Sequence, residues 1–276
     1  MSTLMTPTDY VALPVVQADD RFAYGQQAEQ FGELFLPPER GPTTPVILLL
    51  HGGCWQHAFG LAPLGQLARG LTQLGAAVCN LEYRRLGGGG GWPSTFHDVV
   101  DGAAALGRLA EEHGFDASRM VVAGHSAGGH LALWLAGCWR LATDSVLRKA
   151  NAAQPRVVVS LAGVGDLEGA LSSGICRGAP ADLMGGSPQQ QPQRYAEASP
   201  HALLPLAVPH WHVVGDNDVL VPAAHVEQFA AAAVTAGDTV HMTRVANAGH
   251  FEIVTAGSPA WPEVRRAFEH ALDTVR

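Results

Sequence analysis

Residues 120–136 constrain the fold more than any other stretch of this chain. Met120-Val121-Val122-Ala123 is a short apolar run with the make-up of a buried strand. Gly124-His125-Ser126-Ala127-Gly128 follows, and then a helix-forming run, Leu131-Ala132-Leu133-Trp134-Leu135-Ala136. A strand, a Gly-x-Ser-x-Gly turn and a helix, in that order, are the context of a nucleophile elbow. The turn is too tight for side chains at its flanks, which accounts for Gly124 and Gly128. Ser126 is then expected in a strained backbone conformation, with its hydroxyl presented at the strand tip. The competing reading is that small residues merely let a strand meet a helix closely; the flanking strand and helix favour the elbow.

The rest of the chain supplies a frame for that elbow. Apolar runs at 45–50, 76–81, 156–161, 210–214 and 239–245 read as further strands, and the run at 45–50 suits one buried on both faces. Helical patterns at 63–74, 94–113, 223–236 and 262–275 alternate with them. Such alternation implies right-handed crossovers and an α/β fold, with a mainly parallel sheet of about eight strands and helices on both faces. Two early strands, over 10–16 and 33–36, are expected to be antiparallel additions. Residues 166–208, rich in Gly, Pro, Gln and Ser, read as a small insertion of helix pieces and loop. No linker divides the chain, so 1–276 is expected to be one domain with residues 1–20 peripheral.

Composition excludes several classes. The net charge is -8 with only 17 Lys+Arg and no basic run, which argues against nucleic acid or a membrane surface as partner. A chain of 276 residues buries enough core to need no disulfide or metal. Cys54, Cys79, Cys138 and Cys176 are scattered without metal-type spacing, and Cys79 and Cys138 are expected to be reduced core residues. The start of the chain lacks the charged and apolar regions of a signal peptide, so a cytoplasmic location is expected. The five glycines at 87–91 lack the Lys-Ser/Thr ending of a phosphate loop, and there is no HExxH. No cofactor or metal is expected. The glycine run reads as a flexible loop at the mouth of a site whose walls come from 86–95 and 166–208.

A serine hydroxyl needs a base, and the base needs a group that fixes its tautomer. Among thirteen histidines, His250 is the one that follows a late strand across a short loop at the carboxyl edge. The acid should end the preceding strand, where Asp216 and Asp218 both qualify; either could instead be a turn or N-cap residue. The order Ser, Asp, His suits an acyl-transfer triad with either acid. Oxyanion donors are expected from the N–H of Ala127 and from His51-Gly52-Gly53-Cys54-Trp55, the loop after the strand ending at Leu50.

Gly124-His125-Ser126-Ala127-Gly128-Gly129-His130-Leu131-Ala132 together with His51-Gly52-Gly53-Cys54-Trp55 resembles the α/β-hydrolase superfamily, in its esterase/lipase and kynurenine formamidase branch. The likeness runs from about residue 22 to the end, through Ala23-Tyr24-Gly25, Glu82-Tyr83-Arg84 and Gly249-His250-Phe251. It implies the α/β-hydrolase fold and places the family's Gly-x-x-Asp-x-x-Val-Pro pattern on Gly215, Asp218, Val221 and Pro222, which selects Asp218. It also implies Gly53, Cys54 and Ala127 as oxyanion donors; Trp55 of that loop, and Trp92 beside the glycine run, are expected to be substrate-binding residues, Trp92 with packing against the core as its alternative. The expectation is a serine hydrolase of small carboxylic esters. The alternative is an arylformamidase acting on N-formylkynurenine-type amides, towards which His-Gly-Gly-x-Trp leans; a non-catalytic hydrolase-fold binder is the less favoured third reading. The partner is then a small ester or formamide, and a homodimer is compatible with the same reading.

Overall fold

The computed structural model describes residues 4–276. Residues 1–3, the beginning of the segment expected to lack a signal peptide, lie outside the described residues. In chain order the elements are α1 (Pro7–Val11), β1 (Asp20–Ala23), β2 (Phe31–Phe35), β3 (Pro45–Leu50), α2 (Gly65–Thr72), β4 (Ala77–Leu81), α3 (Ser94–His113), β5 (Asp116–His125) and α4 (Ala127–Gly137). They continue with β6 (Val157–Leu161), α5 (Leu167–Ser172), α6 (Ala179–Met184), α7 (Pro192–Ala198), β7 (His210–Gly215), α8 (Ala223–Ala236), β8 (Val240–Val245) and α9 (Trp261–Val275). The eight strands form one sheet in the order β1-β2-β4-β3-β5-β6-β7-β8. β2 pairs antiparallel with β1 and β4, and the remaining pairs are parallel. This is the mainly parallel sheet that the sequence pattern implies, in the α/β-hydrolase arrangement that the resemblance implies.

Every residue of β3, β4, β6 and β7 is buried. Their apolar runs are continuous because helices cover both faces and neither face meets water. α2 and α9 share one face, where the Trp261 ring lies against Gly70. α3 and α4 pack on the other, and α8 joins α4 there against the turn Pro200–Leu203. Register sets Leu50 beside Gly124, His125 beside Leu161, and Gly215 beside Val245. The loops after β3, β5, β7 and β8 therefore open at one edge of the sheet, the edge at which ligands bind in open α/β folds. No helix among the described residues is long and apolar enough to cross a membrane.

Two local expectations need correction. The strand expected over 10–16 is absent, and α1 occupies its first residues. Pro7 sits at the start of α1, and Thr6 and Asp9 form a capping box: Asp9 N donates to Thr6 Oγ1 at 3.2 Å and Thr6 N to Asp9 Oδ2 at 2.9 Å. Those two devices fix a helical start in Thr6-Pro7-Thr8-Asp9 and outweigh the strand-like Tyr10 and Val11. The glycine run is a packed turn. A Cβ on Gly90 would lie 2.3 Å from the Arg84 backbone, and Gly91 N donates to Thr95 Oγ1 at 2.9 Å. The insertion does consist of helix pieces, α5 to α7, and buries Ile175, Leu183, Met184 and Tyr195.

Candidate active site

Ser126 stands between β5 and α4 at φ 54° and ψ −117°, a conformation L-residues avoid. Such strain costs of order 1–3 kcal/mol and persists only where the surroundings over-determine it. Here they do. Ser126 N donates to Leu161 O at 2.9 Å, and Ser126 O accepts from His130 N at 3.1 Å. A Cβ on Gly124 would meet the Gly128 carbonyl at 2.1 Å, and one on Gly128 would meet the Leu50 carbonyl at 2.1 Å, so neither position admits a side chain. Ala127 opens α4, and the first N–H groups of a helix have no intrahelical acceptor.

His250 Nδ1–H donates to Asp218 Oδ2 at 2.6 Å. The other carboxylate oxygen, Oδ1, accepts from Leu220 N and Val221 N, both at 2.9 Å, and the Asp218 side chain has no exposure. With Nδ1 protonated towards the carboxylate, Nε2 is the basic nitrogen of His250. Asp216, the other sequence candidate, turns outward to Arg244 at 2.8 Å. The structure thus sets Ser126 and His250 on one cavity, with Asp218 hydrogen-bonded to His250, and leaves Asp216 on the surface.

One residue in the elbow motif was missed as a functional candidate. His125 Nε2–H donates to the His250 carbonyl at 3.0 Å, and its ring lies 4.3 Å from the His250 ring. Burial, and then the neighbouring His250, hold the His125 imidazole well below its usual pKa, so it stays neutral. Its position beside the nucleophile was the available signal; its partner was visible only in the fold.

The loop after β3 turns sharply. Gly53, Cys54 and Trp55 have φ of 111°, 51° and 56°, and Gln56 N donates to Gly53 O at 2.9 Å. His51 braces it from below. His51 Nε2 is hydrogen-bonded to Glu82 Oε1 at 2.8 Å, Nδ1 lies 2.7 Å from Gly52 O, and Tyr83 OH donates to His51 O at 2.7 Å. Burial alone would raise the Glu82 carboxyl, but His51 and Arg85 outweigh it and keep it below the usual range. Gly53 and Cys54 line the same cavity as Ser126 and His250.

Cys54 is bonded to Cys176, with Cα atoms 5.4 Å apart and a separation of 122 positions in sequence. The chain therefore carries a disulfide that composition did not call for, and Cys54 is no free thiol beside the serine. Cys79 and Cys138 are free and buried, as expected, and burial pushes the Cys138 thiol up to about 12.

The two tryptophans expected to bind substrate do not line the cavity. Trp55 is fully buried with its ring edge-on to His130 at 5.2 Å. The turn that presents Gly53 and Cys54 sends the next side chain into the core, where an indole buries the most surface. Trp92 packs edge-on to Phe96 at 5.8 Å, with the Arg194 guanidinium 5.6 Å from its ring centre. The cavity, of about 800 Å³, is walled instead by Tyr10 and Val11, by Phe59, by residues 174–182, by Val219 and Leu220, and by Phe251. Pro7, Tyr10 and Val11 thus join the cavity wall, and none of its described lining residues comes from 86–95. A strained serine and an imidazole held by a carboxylate, on a cavity that Gly53 and Cys54 also line, are parts that nucleophilic acyl transfer requires.

Comparison with known proteins bears on the fold and the family. A probable isoprenylcysteine alpha-carbonyl methylesterase of Oryza sativa subsp. japonica is 31% identical over 114 residues, 40% of this chain and 25% of that protein. The chain thus matches about a quarter of the length of that relative. Esterase B from Lactobacillus rhamnosis, in a tributyrin phosphonate-inhibited structure, superposes with a TM-score of 0.80 at 18% identity, over 97% of this chain and 90% of that one. A truncated carbohydrate esterase from gut microbiota superposes with a TM-score of 0.77 at 19% identity, over 93% and 98%. At these identities the two structures establish the fold. The family model BD-FAE matches residues 33–232, most of the sheet and the elbow with it. On that match the chain belongs to the BD-FAE family, within the α/β-hydrolases.

Proposed function

We propose that the protein is a carboxylic-ester hydrolase working through an acyl-enzyme on Ser126. The observation that carries this is the 2.6 Å Asp218–His250 hydrogen bond at the cavity that also holds the strained Ser126. Ser126 Oγ attacks the ester carbonyl carbon while His250 Nε2 takes its proton. The oxyanion forms against the N–H groups of Ala127, Gly53 and Cys54, each such donor being worth about 2.7–4 kcal/mol in the transition state. The C–O bond to the alcohol breaks, and His250 returns the proton to the leaving oxygen. Water then attacks the acyl-enzyme along the reverse path, and Asp218 keeps His250 in the Nε2-basic tautomer throughout.

Esterase is also the activity named for the curated relative and for the two superposed structures. The arylformamidase reading leans on the His-Gly-Gly-x-Trp form of the loop, and both substrate classes use the same machinery, so the choice between them rests on turnover. Location is tied to the disulfide. Cytosolic thiols are kept reduced, so the cytoplasmic expectation and a closed Cys54–Cys176 bond pull in opposite directions. The thiol count of protein taken directly from cells decides between them: two free thiols favour an oxidising compartment and four favour the cytoplasm.

The test of function is labelling by a fluorophosphonate probe alongside turnover of p-nitrophenyl acetate, p-nitrophenyl butyrate and N-formylkynurenine. Labelling is expected to vanish in Ser126→Ala and the esters to be preferred. Labelling that survives the substitution overturns the mechanism, and a large preference for the formamide overturns the substrate class.

A further inference from the structure

Resting on that ester-hydrolase reading, we infer that the alcohol half of the substrate is apolar and ring-bearing, and that it is received in an aromatic slot formed by Tyr10 and Phe251. Proton delivery sets the direction. His250 must hand its proton to the leaving oxygen, so the departing alcohol has to lie against His250 in the transition state. What flanks His250 on the cavity side therefore selects the alcohol. Phe251 stands edge-on to the His250 ring at 5.2 Å, and Tyr10 stacks on Phe251 at 4.8 Å with 21° between the planes. Tyr10 also meets the His125 ring edge-on at 6.1 Å. Tyr10 and Phe251 both line the cavity, and Tyr10 is half-buried, so part of its surface remains open to an occupant.

The rim beyond this pair is apolar as well. Val11, Val219 and Leu220 line the same cavity and are 51%, 85% and 44% exposed. Phe251, Val11, Val219 and Leu220 offer a polyol or sugar alcohol no hydrogen-bonding side chain and Tyr10 offers only its hydroxyl, while a phenyl or alkyl group would bury apolar surface against all of them. Tyr10 comes from a segment tied to the base loop. The backbone N–H groups of Met5 and of Gly249, the residue before His250, both donate to the carboxylate of Glu252. The aromatic slot and the base are thus positioned by one clasp.

The experiment compares kcat/KM for benzyl acetate and 2-methoxyethyl acetate, whose acyl groups are identical and whose alcohols are of similar acidity. The wild-type protein is expected to favour the benzyl ester by about tenfold or more, the scale of one well-placed aromatic contact. Tyr10→Ala is expected to lower that ratio about tenfold, and Tyr10→Phe, which keeps the ring, to preserve it. A ratio unmoved by Tyr10→Ala, in protein that still hydrolyses p-nitrophenyl acetate, overturns the slot and leaves the ester-hydrolase reading standing. Failure to hydrolyse any of the three esters, with no fluorophosphonate labelling of Ser126, overturns that reading and the slot with it.

Discussion

The two sides of the cleft are held in different ways. On the sheet side, Ser126, Asp218 and His250 are fixed by backbone: the elbow's strained φ is locked by hydrogen bonds to Leu161 and His130, and Asp218 is gripped by two amides of its own loop. On the facing side the wall is half-exposed and largely apolar. Two fastenings hold it, the Cys54–Cys176 bond and the Glu252 carboxylate that joins Met5 to Gly249. Groups that must be placed to a fraction of an ångström are built into the edge of a sheet, and groups that only select are tied on from outside. Side chains on the wall are therefore replaceable at small cost, whereas those on the sheet side are not.

The sheet side should break hardest. Ser126→Ala removes the nucleophile, and kcat for p-nitrophenyl acetate is expected to fall by on the order of 10⁴-fold or more. Asp218→Asn is the sharper probe. Its amide oxygen still accepts from Leu220 and Val221, so the loop is retained, but the amide favours the wrong histidine tautomer, with an expected loss of about 10⁴-fold. A loss below tenfold in either variant would mean that backbone placement of these groups is not what carries the chemistry.

Acid should also strike the sheet side first. His130, fully buried in α4 directly behind the elbow, has its pKa lowered to about 4 by burial, while an unfolded histidine titrates near 6.5. Between those values the unfolded chain binds more protons than the folded one, so folding stability is full above about pH 6.5 and is lost as pH falls towards 4. For this one group the loss between pH 7.5 and 5 is about 2 kcal/mol. His125 and His212, also buried and shifted well down, act in the same direction. Urea midpoints at the two pH values measure the total. His130→Phe, which keeps an aromatic body against Trp55 and Phe96, is expected to flatten the dependence. An unchanged slope would show that this core does not exclude the charged imidazole.

How much was legible follows from the range over which each signal acts. The parallel strands and α3 were readable to within a few residues, because burial on both faces and helical periodicity are written locally. So were Ser126 and His250, which the elbow pattern and a late strand end locate. Asp218 needed the family pattern to separate it from Asp216, and in the structure the separation is two backbone amides against a surface arginine. The disulfide was out of reach, since 122 residues of chain say nothing about a 5.4 Å approach. His125 and Glu252 act through backbone groups of other segments, so no spacing announces them. The start of α1 was legible and overlooked: Thr6-Pro7-Thr8-Asp9 carries its own cap.

The first fastening lies where the two sides meet. Cys54 offers a candidate oxyanion amide, and its side chain is bonded to the wall at Cys176. Cys176→Ser frees both. kcat is expected to fall about tenfold, less than the 10²–10³ lost when one oxyanion donor is removed outright, because the brace through His51 and Glu82 persists. Reducing the wild-type protein under native conditions should reproduce the loss, and reoxidation should restore it. If thiol titration of denatured protein finds four thiols instead of two, there is no bond to cut, and the loop is held by its hydrogen bonds alone.

The smallest effect is expected at the second fastening, and there the comparison is tested most finely. Glu252 offers two equivalent carboxylate oxygens to two backbone N–H groups, one on each side of the cleft. Glu252→Gln leaves a single acceptor oxygen, so one of the two amides loses its partner and faces an NH₂ group instead. A hydrogen bond to a charged acceptor is worth about 1.5–3 kcal/mol, but Met5 and Glu252 are only half-buried and water takes over part of that loss. If the released amide is that of Met5, Tyr10 loosens and the base stays in place. KM for benzyl acetate should then rise about threefold with kcat nearly constant. If the released amide is that of Gly249, the His250 loop moves and kcat falls instead. The split between KM and kcat thus reports which side of the cleft the carboxylate chiefly serves, and the looser construction of the outer wall requires that KM change first.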